Sequence, residues 1–140
     1  MNGNVKVRDF MTSLIITAEA ETLVVDAAKL MAVEDVGSLL ITKADVLVGM
    51  VTRREIIGAQ LLSEGSYQTL CLEDIMVTPV VTIGPDADIG QAIALMNHTG
   101  RRRIPVIEGT DIIGLISTTD IIGVLATMKL IADGAPIIED

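Results

Sequence analysis

The chain has 140 residues, half of them apolar, and its only aromatic side chains are Phe10 and Tyr67. Its core must therefore be built from aliphatic residues, which suits β-branched strands packed on helices. The formal charge of −9 opposes a phosphate backbone and predicts no nucleic-acid partner. A single cysteine, Cys71, excludes an intrachain disulfide, fits a reducing compartment, and is predicted to be a small buried apolar residue.

The N-terminal residues do not have the pattern of a signal peptide, and the longest apolar run, which starts at Ile121, is far shorter than a bilayer span. These features predict a soluble, cytoplasmic protein without a membrane partner. His98 is the only histidine in the sequence, so a histidine-based metal site is not expected, and no set of metal ligands is predicted.

The sequence repeats itself without a gap when Val7 is placed on Leu72. Several residues are identical at equivalent positions: Asp9/Asp74, Met11/Met76, Met31/Met96, Gly49/Gly114 and Gly58/Gly123. Two copies at this spacing predict one structural unit written twice, over residues 1–62 and 71–131, with a polar linker at 63–70 and a tail at 132–140. Two units with open apolar faces are expected to pack together as a pseudo-twofold pair with grooves between them.

In chain order, the first copy begins with a predicted strand over Leu14–Thr17 and a helix that starts at Glu21-Thr22. The helix buries a stripe at the spacing of a helical face, formed by Val24, Ala27, Ala28 and Met31. A hairpin and a closing helix follow, with the predicted bounds Leu39–Thr42, Val46–Val51 and Arg53–Leu62.

The second copy has the same order, with a predicted strand over Val80–Ile83 and a helix capped by Asp86 or Asp88. The elements that follow are a hairpin and a closing helix, at Ile104–Ile107, Ile112–Ile116 and Thr118–Ile131. Each copy therefore reads β-α-β-β-α, and the fold class is α/β in the α+β sense.

The end of the last strand in each copy has a shared pattern, "GMVTRRE" from Gly49 and "GLISTTD" from Gly114. In the second, Ser117 closes the strand and Thr118 opens a helix, whose N-terminus favours an anion. Thr119 adds a hydroxyl donor, and Asp120 can accept hydrogen bonds from the vicinal hydroxyls of a ribose. The alternative is that these residues only cap the helix.

Three consecutive arginines precede the neighbouring strand of the second copy. Arg103 is expected to reach the same sheet edge as Ser117, which would place a phosphate site beside a ribose site. Arg101 is interpreted as part of a solvated loop, whereas Arg102 and Arg103 are predicted to contact a ligand.

The sequence resembles a pair of CBS domains, a module similar to those that sense adenine nucleotides in AMP-activated protein kinase and in inosine monophosphate dehydrogenase. The residues that carry the resemblance are the openings "VRDFMT" and "LEDIMVTP", the strand "RIPV", and "GLISTTD". The resemblance implies two βαββα units, association into a disc-shaped dimer, and two clefts for adenosine-containing ligands.

Carried onto this sequence, the resemblance implies a main cleft in which Asp120 holds the ribose and Ser117, Thr119 and Arg103 face the phosphates. The purine would contact the first copy through Met11, Leu14, Ile16, Gly37 and Ser38. The second cleft would use Thr52, Arg54, Glu55, Arg102, Thr78, Pro79 and Val81. It is expected to be weaker, empty or tuned to another ligand, because Glu55 replaces the family's aspartate and Ser38 stands at the position of Arg103, a missing cation for which Arg54 could compensate.

The sequence thus predicts a regulatory protein and not an enzyme, since no base, nucleophile or metal cluster is apparent. Its ligand would be AMP, ADP, ATP or S-adenosylmethionine, and it would act on a separate, unknown effector protein. A homodimer is expected, because the helices "IIGAQLL" and "IIGVLATMKLIA" have more apolar residues than one core requires. The alternative is a structural or oligomerisation module with vestigial clefts.

Overall fold

A computed structural model describes residues 5–134, which form two compact units. The first-repeat unit is Ile15–Val80, and the second-repeat unit combines the described parts of Met1–Leu14 and Val81–Asp140. Most of the predicted C-terminal tail lies outside the described residues. The elements in chain order are α1 (Val7–Phe10), β1 (Thr17–Glu19), α2 (Val24–Glu34), β2 (Ser38–Lys43), β3 (Val46–Thr52), α3 (Arg53–Leu62), a 3₁₀ turn (Tyr67–Thr69), α4 (Leu72–Ile75), α5 (Ile89–Thr99), β4 (Arg103–Glu108), β5 (Asp111–Ser117) and α6 (Thr118–Ala132).

Each unit has its own small sheet and its own apolar core. In the first-repeat unit, β2 lies between β1, which is parallel to it, and β3, which is antiparallel. In the second-repeat unit, β4 and β5 form an antiparallel pair. Mixed helices and strands around aliphatic cores confirm the α+β class, and α3 has the predicted bounds.

The two central helices each bury an apolar stripe, which was predicted for α2, but they begin differently. Asp88 caps α5 by accepting the Gln91 N–H at 2.8 Å, and the Gln91 side chain accepts the Asp88 N–H at 2.9 Å. The predicted start of α2 at Glu21-Thr22 is wrong: its N-cap is Leu23, which offers no side-chain hydrogen bond. Tertiary packing of the stripe, and not a capping side chain, therefore sets the beginning of α2.

Both predicted first strands are corrected by the structure. β1 comprises Thr17–Glu19 and not Leu14–Thr17, and no strand forms over Val80–Ile83. There, Ile83 alone bridges β4, donating its N–H to the Pro105 carbonyl at 3.1 Å. The apolar run at this point reflects packing of Val81 and Ile83 on the core, which does not require a continuous hydrogen-bond ladder.

The opening segment of each repeat belongs to the unit of the other repeat. Thr12 and Leu115 exchange backbone hydrogen bonds at 2.8 and 2.9 Å, so the start of the first repeat pairs with β5. At the equivalent positions, Val77 and Met50 exchange hydrogen bonds at 2.8 and 3.2 Å, so the start of the second repeat pairs with β3. The sequence repeats and the compact units therefore divide the chain at different places.

Two glycines allow these opening segments to approach the sheets closely. A Cβ atom at Gly114 would lie 2.6 Å from the Met11 sulfur, and one at Gly49 would lie 2.7 Å from the Met76 Cγ. Both distances are shorter than side-chain carbons tolerate, which explains why glycine occupies this position in both repeats.

Cys71 differs from its predicted role as a buried apolar residue. The residue is half-buried, and its backbone N–H donates to the Asp74 carboxylate at 2.8 Å at the start of α4. The buried position next to it is taken by Leu72, which has no exposed surface.

Candidate functional site

The second-repeat unit places Arg103 and Ser117 side by side at one end of the β4–β5 hairpin. They are direct cross-strand partners in the antiparallel register. α6 begins at the next residue, because the Ser117 hydroxyl accepts the Asp120 N–H at 3.2 Å and the Asp120 carboxylate accepts the Ser117 N–H at 2.9 Å. This capping box holds Ser117, Asp120 and the helix N-terminus in one fixed arrangement.

Capping leaves part of each polar side chain available. Of the two Asp120 carboxylate oxygens, Oδ2 accepts the Ser117 N–H, and Oδ1 has no hydrogen bond within residues 5–134. The Ser117 hydroxyl acts as an acceptor in the box, so its hydrogen remains able to donate. Capping and ligand binding are therefore compatible roles for these two residues.

Two arginines give this end of the hairpin a positive charge. The Arg102 and Arg103 side chains are exposed, and neither forms an ion pair within the described range. The Arg102 carbonyl accepts the Thr118 N–H at 3.0 Å, which ties the arginine run to the start of α6. An anion here would meet guanidinium groups, the Ser117 hydroxyl and a helix N-terminus.

A groove of about 550 Å³ in the same unit is lined by Thr119 and Asp120. Its other lining residues come from the opening segment and from one face of α6: Val5, Phe10, Gly123, Val124, Thr127, Met128 and Ile131. None of these was predicted to face a ligand. Helical spacing could have indicated one side of this groove, because it places Asp120, Val124, Thr127 and Ile131 on one face of α6. It could not have indicated Phe10, which lines the groove because the opening segment of the first repeat belongs to the second-repeat unit.

The first-repeat unit repeats the backbone arrangement with different side chains. Ser38 and Thr52 are cross-strand partners, as Arg103 and Ser117 are in the other unit. The Arg53 N–H donates to the Gly37 carbonyl at 3.3 Å, at the start of α3. Arg54 is exposed on the first turn of that helix.

Glu55 uses its extra methylene to bind the strand end twice. One carboxylate oxygen accepts both the Thr52 N–H at 2.7 Å and the Thr52 hydroxyl at 2.8 Å. The Thr52 hydroxyl has therefore donated its hydrogen to Glu55, whereas the hydrogen of the Ser117 hydroxyl is not used in this way. This difference, together with Ser38 in place of Arg103, leaves the first-repeat unit with fewer donors for an anion.

The remaining residues predicted for the clefts have varied environments. Met11 packs on Gly114, and Leu14 is exposed, both in the second-repeat unit together with half-buried Val81. In the first-repeat unit the Ile16 carbonyl accepts the Leu40 N–H at 3.0 Å. Thr78 and Pro79 are exposed and joined by a cis peptide bond.

A second groove, of about 250 Å³, lies within the first-repeat unit between α2 and α3. It contains none of the residues predicted for ligand binding. Its lining is mostly apolar: Ala28, Met31, Ala32, Asp35, Arg53, Ile56 and Ile57.

Two searches of the described residues bear on other classes of site. Between residues 5 and 134, no three His, Cys, Asp or Glu side chains are grouped closely enough to hold a metal ion. In the same part of the chain, no helix combines the length and the apolar character needed to cross a membrane.

Comparison with known proteins gives a consistent result. The family model described as "CBS domain" matches residues 7–62 and again residues 72–127. The CBS domain-containing protein YhcV of Bacillus subtilis is 27% identical over 110 residues, which are 79% of this chain and 78% of that protein.

Two solved structures are similar over nearly the whole chain. A putative signal-transduction protein with CBS domains from Burkholderia ambifaria is 30% identical, with a TM-score of 0.76 over 96% of this chain and 100% of that one. The CBS domain pair of protein MJ0100, solved in complex with 5′-methylthioadenosine and S-adenosylmethionine, has a TM-score of 0.78 at 22% identity, over 89% and 98% of the two chains. This last likeness shows the fold.

Proposed function

The chain belongs to the CBS domain family, with two copies of the domain, and from this premise we propose that it is a regulatory protein that binds an adenosine-containing ligand. The candidates are AMP, ADP, ATP and S-adenosylmethionine, bound mainly through the second-repeat half-site of Arg103, Ser117, Thr119 and Asp120. Binding would alter contacts with a separate effector protein, since sensing requires only that two states differ in affinity.

The observation that carries the proposal is the unused hydrogen-bonding capacity around Asp120. Its Oδ1 atom has no partner within residues 5–134, and the exposed Arg102 and Arg103 lie at the adjacent strand end. A carboxylate that accepts ribose hydroxyls beside guanidinium groups that bind phosphate is the combination that a nucleotide requires. The complex of the MJ0100 CBS pair provides an example of adenosyl ligands on this fold.

Isothermal titration calorimetry and thermal-shift measurements with AMP, ADP, ATP and S-adenosylmethionine test this proposal. A ligand that binds the native state raises the unfolding temperature, by an amount that grows with its concentration. If none of the four binds at millimolar concentration, the proposal is wrong and the alternative of a structural module with vestigial clefts is favoured.

The variant Asp120→Ala separates ligand binding from capping. Hydrogen bonds to a charged group contribute about 1.5–3 kcal/mol, so affinity should fall about tenfold or more. The control is Asp88→Ala, which removes a capping carboxylate at the start of α5, where Asp88 is the N-cap and accepts the Gln91 N–H. The control should lower the unfolding temperature without changing affinity. Equal loss of affinity in both variants would show that Asp120 acts only through stability.

We infer that the first-repeat half-site is the weaker of the two, because the Thr52 hydroxyl already donates its hydrogen to the Glu55 carboxylate. Glu55→Asp shortens the side chain and should release this hydroxyl, so a second binding event should appear or strengthen in calorimetry. The control is Asp120→Glu, which should weaken the main site. If Glu55→Asp changes neither stoichiometry nor affinity, the absence of a cation at Ser38 controls this site instead.

We also propose that the protein is a homodimer. Exposed aliphatic side chains accumulate on α3 and α6: Ile57, Leu61, Leu62, Ile122, Leu125, Leu130 and Ile131. Exposed apolar side chains that are grouped on a helix are a feature of interfaces between chains. Ile122→Glu should shift the mass measured by light scattering from dimer to monomer, whereas Val46→Glu, at an exposed position of the β2–β3 hairpin, should not. A monomeric wild-type protein at micromolar concentration would contradict the proposal.

A further inference from the structure

The four-residue helices α1 and α4 open the two repeats and occupy equivalent positions in the two units. The buried residues at their starts make the same contact: the Val7 N–H donates to the Ala87 carbonyl at 2.8 Å, and the Leu72 N–H donates to the Thr22 carbonyl at 2.9 Å. Two nearly identical docking places therefore exist in one chain, and each helix occupies the one formed by the other repeat. Backbone geometry alone does not explain the choice, because it is the same in both.

The charges beside these contacts are reversed between the two units. In the second-repeat unit, Arg8 on α1 binds Asp86 through Nε at 3.1 Å and Nη2 at 2.9 Å, and it reaches Glu108 at 3.4 Å. In the first-repeat unit, Glu73 on α4 binds Lys43 at 3.2 Å. Arg8 and Glu73 are equivalent positions of the repeat, and so are Glu108 and Lys43.

From this reversal we propose that the two ion pairs determine which opening helix docks on which repeat. On the second repeat, Glu73 would meet two acids, Asp86 and Glu108, in place of Lys43. On the first repeat, Arg8 would meet Lys43 and lose the contact with Glu108. Asp86 does not distinguish the two repeats, because the first repeat also has an acid, Glu21, at the equivalent position. The selection therefore depends on the opposite charges at positions 8 and 73 of the helices and at positions 43 and 108 of the repeats. The greater penalty is expected for α4 on the second repeat, because Glu73 would lie beside two acids there.

The strength of each contact is limited by solvent, since the side chains are exposed and such pairs are weak singly. Selection depends on the sum of the electrostatic free energies of both helices. Each wrong placement loses an attractive contact and adds a repulsive one. Arg8 stays charged over the whole working range of pH, as arginine side chains do in proteins, and the hydrogen bond and charge of Asp86 raise its pKa further.

The test exchanges the charges in two steps, neither of which alters the net charge. The helix-exchange variant, Arg8→Glu with Glu73→Arg, puts like charges against each repeat. The full-exchange variant adds Lys43→Glu with Glu108→Lys, which restores opposite charges at positions 43 and 73 and at positions 8 and 108, while Asp86 still faces the acid introduced at position 8. Hydrogen exchange at the Val7 and Leu72 amides reports whether each opening helix is docked, and nuclear Overhauser contacts of Met11 with Gly114 or with Gly49 report the repeat on which it is docked.

We expect the amides to exchange about threefold to tenfold faster in the helix-exchange variant at low salt, the range given by two to four weak pairs. The difference should shrink near 1 M salt, where exposed charges are screened within about 3 Å. The full-exchange variant should return to wild-type protection at Leu72 and recover in part at Val7, where Asp86 still repels the acid introduced at position 8. If the helix-exchange variant does not fold but the full-exchange variant does, the proposal is also supported.

Two results would overturn the proposal: wild-type protection in the helix-exchange variant at low salt with Met11 still next to Gly114, or no recovery at Leu72 in the full-exchange variant. Lys129→Glu provides the control, because it reverses an exposed ion pair with Asp133 on α6 without touching either opening helix. Protection at Val7 and Leu72 should be unchanged in this control. A loss there would show that the amides respond to surface charge in general, which contradicts selection by the named pairs.

Discussion

The contact between Gly114 and Met11 supports a quantitative prediction about the exchanged opening segment. In Gly114→Ala, the added Cβ would lie 2.6 Å from the Met11 sulfur and 3.0 Å from the Thr12 carbonyl oxygen. The methionine sulfur can move, but the Thr12 carbonyl is held by its hydrogen bond to Leu115. Overpacking of this kind costs about 1–3 kcal/mol. In a chain of this size that corresponds to a decrease of about 3–15 °C in unfolding temperature.

A double-mutant cycle with Met11→Ala identifies the source of the cost. If the clash with the sulfur contributes, the two substitutions should be non-additive, with a coupling of about 0.5–3 kcal/mol measured by urea unfolding. Recovery should be incomplete, because the Thr12 carbonyl remains 3.0 Å away in the double variant. Additive effects would refute the argument that these residues are in close contact.

Gly58→Ala is the matched control for this experiment. Gly58 lies inside α3, and a Cβ atom there would have no neighbour within 4 Å. The same chemical change should therefore stabilise the protein by about 0.5–1 kcal/mol through helix propensity. Opposite signs for Gly58→Ala and Gly114→Ala would exclude a general effect of glycine replacement, and destabilisation of the same size in both would contradict the steric explanation.

Three further predictions concern stability and use the same unfolding measurements. Asp88→Ala should cost about 1 kcal/mol, because α5 loses the side-chain acceptor of its N-cap, and an unchanged midpoint would show that the cap is dispensable. Ile104→Ala, at a position with no exposed surface, should cost about 2–5 kcal/mol, whereas Leu62→Ala, at an 80% exposed position, should cost less than about 0.5 kcal/mol in the monomer. Gly100→Ala should destabilise by about 1–2 kcal/mol, because φ is +70° at the end of α5 and an L side chain is strained there. Asp35→Gly, at φ +52° after α2, should not destabilise, because glycine tolerates positive φ. A greater loss of stability in Asp35→Gly than in Gly100→Ala would contradict this explanation.

Local sequence signals were sufficient for the two hairpins and for most of the longer helices, but not for the four-residue helices α1 and α4. The buried stripe of α5 and the cap at Asp88 appear together in the sequence, and so do the end of β5 at Ser117 and the start of α6 at Thr118. These features depend on residues within one or two helical turns of one another, which is why periodicity and capping chemistry predict them. α2 was less accurately bounded because its N-cap, Leu23, carries no capping group.

The candidate site was predictable in its residue types but not in its hydrogen bonding. The sequence indicated Ser117 and Asp120 at a helix start, with an arginine at the neighbouring strand end. It posed capping and ligand binding as alternatives, and only the geometry shows that one Asp120 oxygen caps while the other has no partner within residues 5–134. The sequence likewise marked Glu55 as a departure from the family's aspartate. Only the structure shows that the Glu55 carboxylate accepts a hydrogen bond from the Thr52 hydroxyl.

The sequence by itself determined the duplication, the α+β class and the succession of helix, hairpin and closing helix in each repeat, because these depend on spacing and on local side-chain chemistry. Only the tertiary structure decided that each opening segment docks on the other repeat. The pairs Thr12–Leu115 and Val77–Met50 join residues with nearly identical local patterns, so either repeat satisfies the sequence periodicity equally well. The choice depends on contacts distant in the chain, and those contacts form only when the whole chain folds.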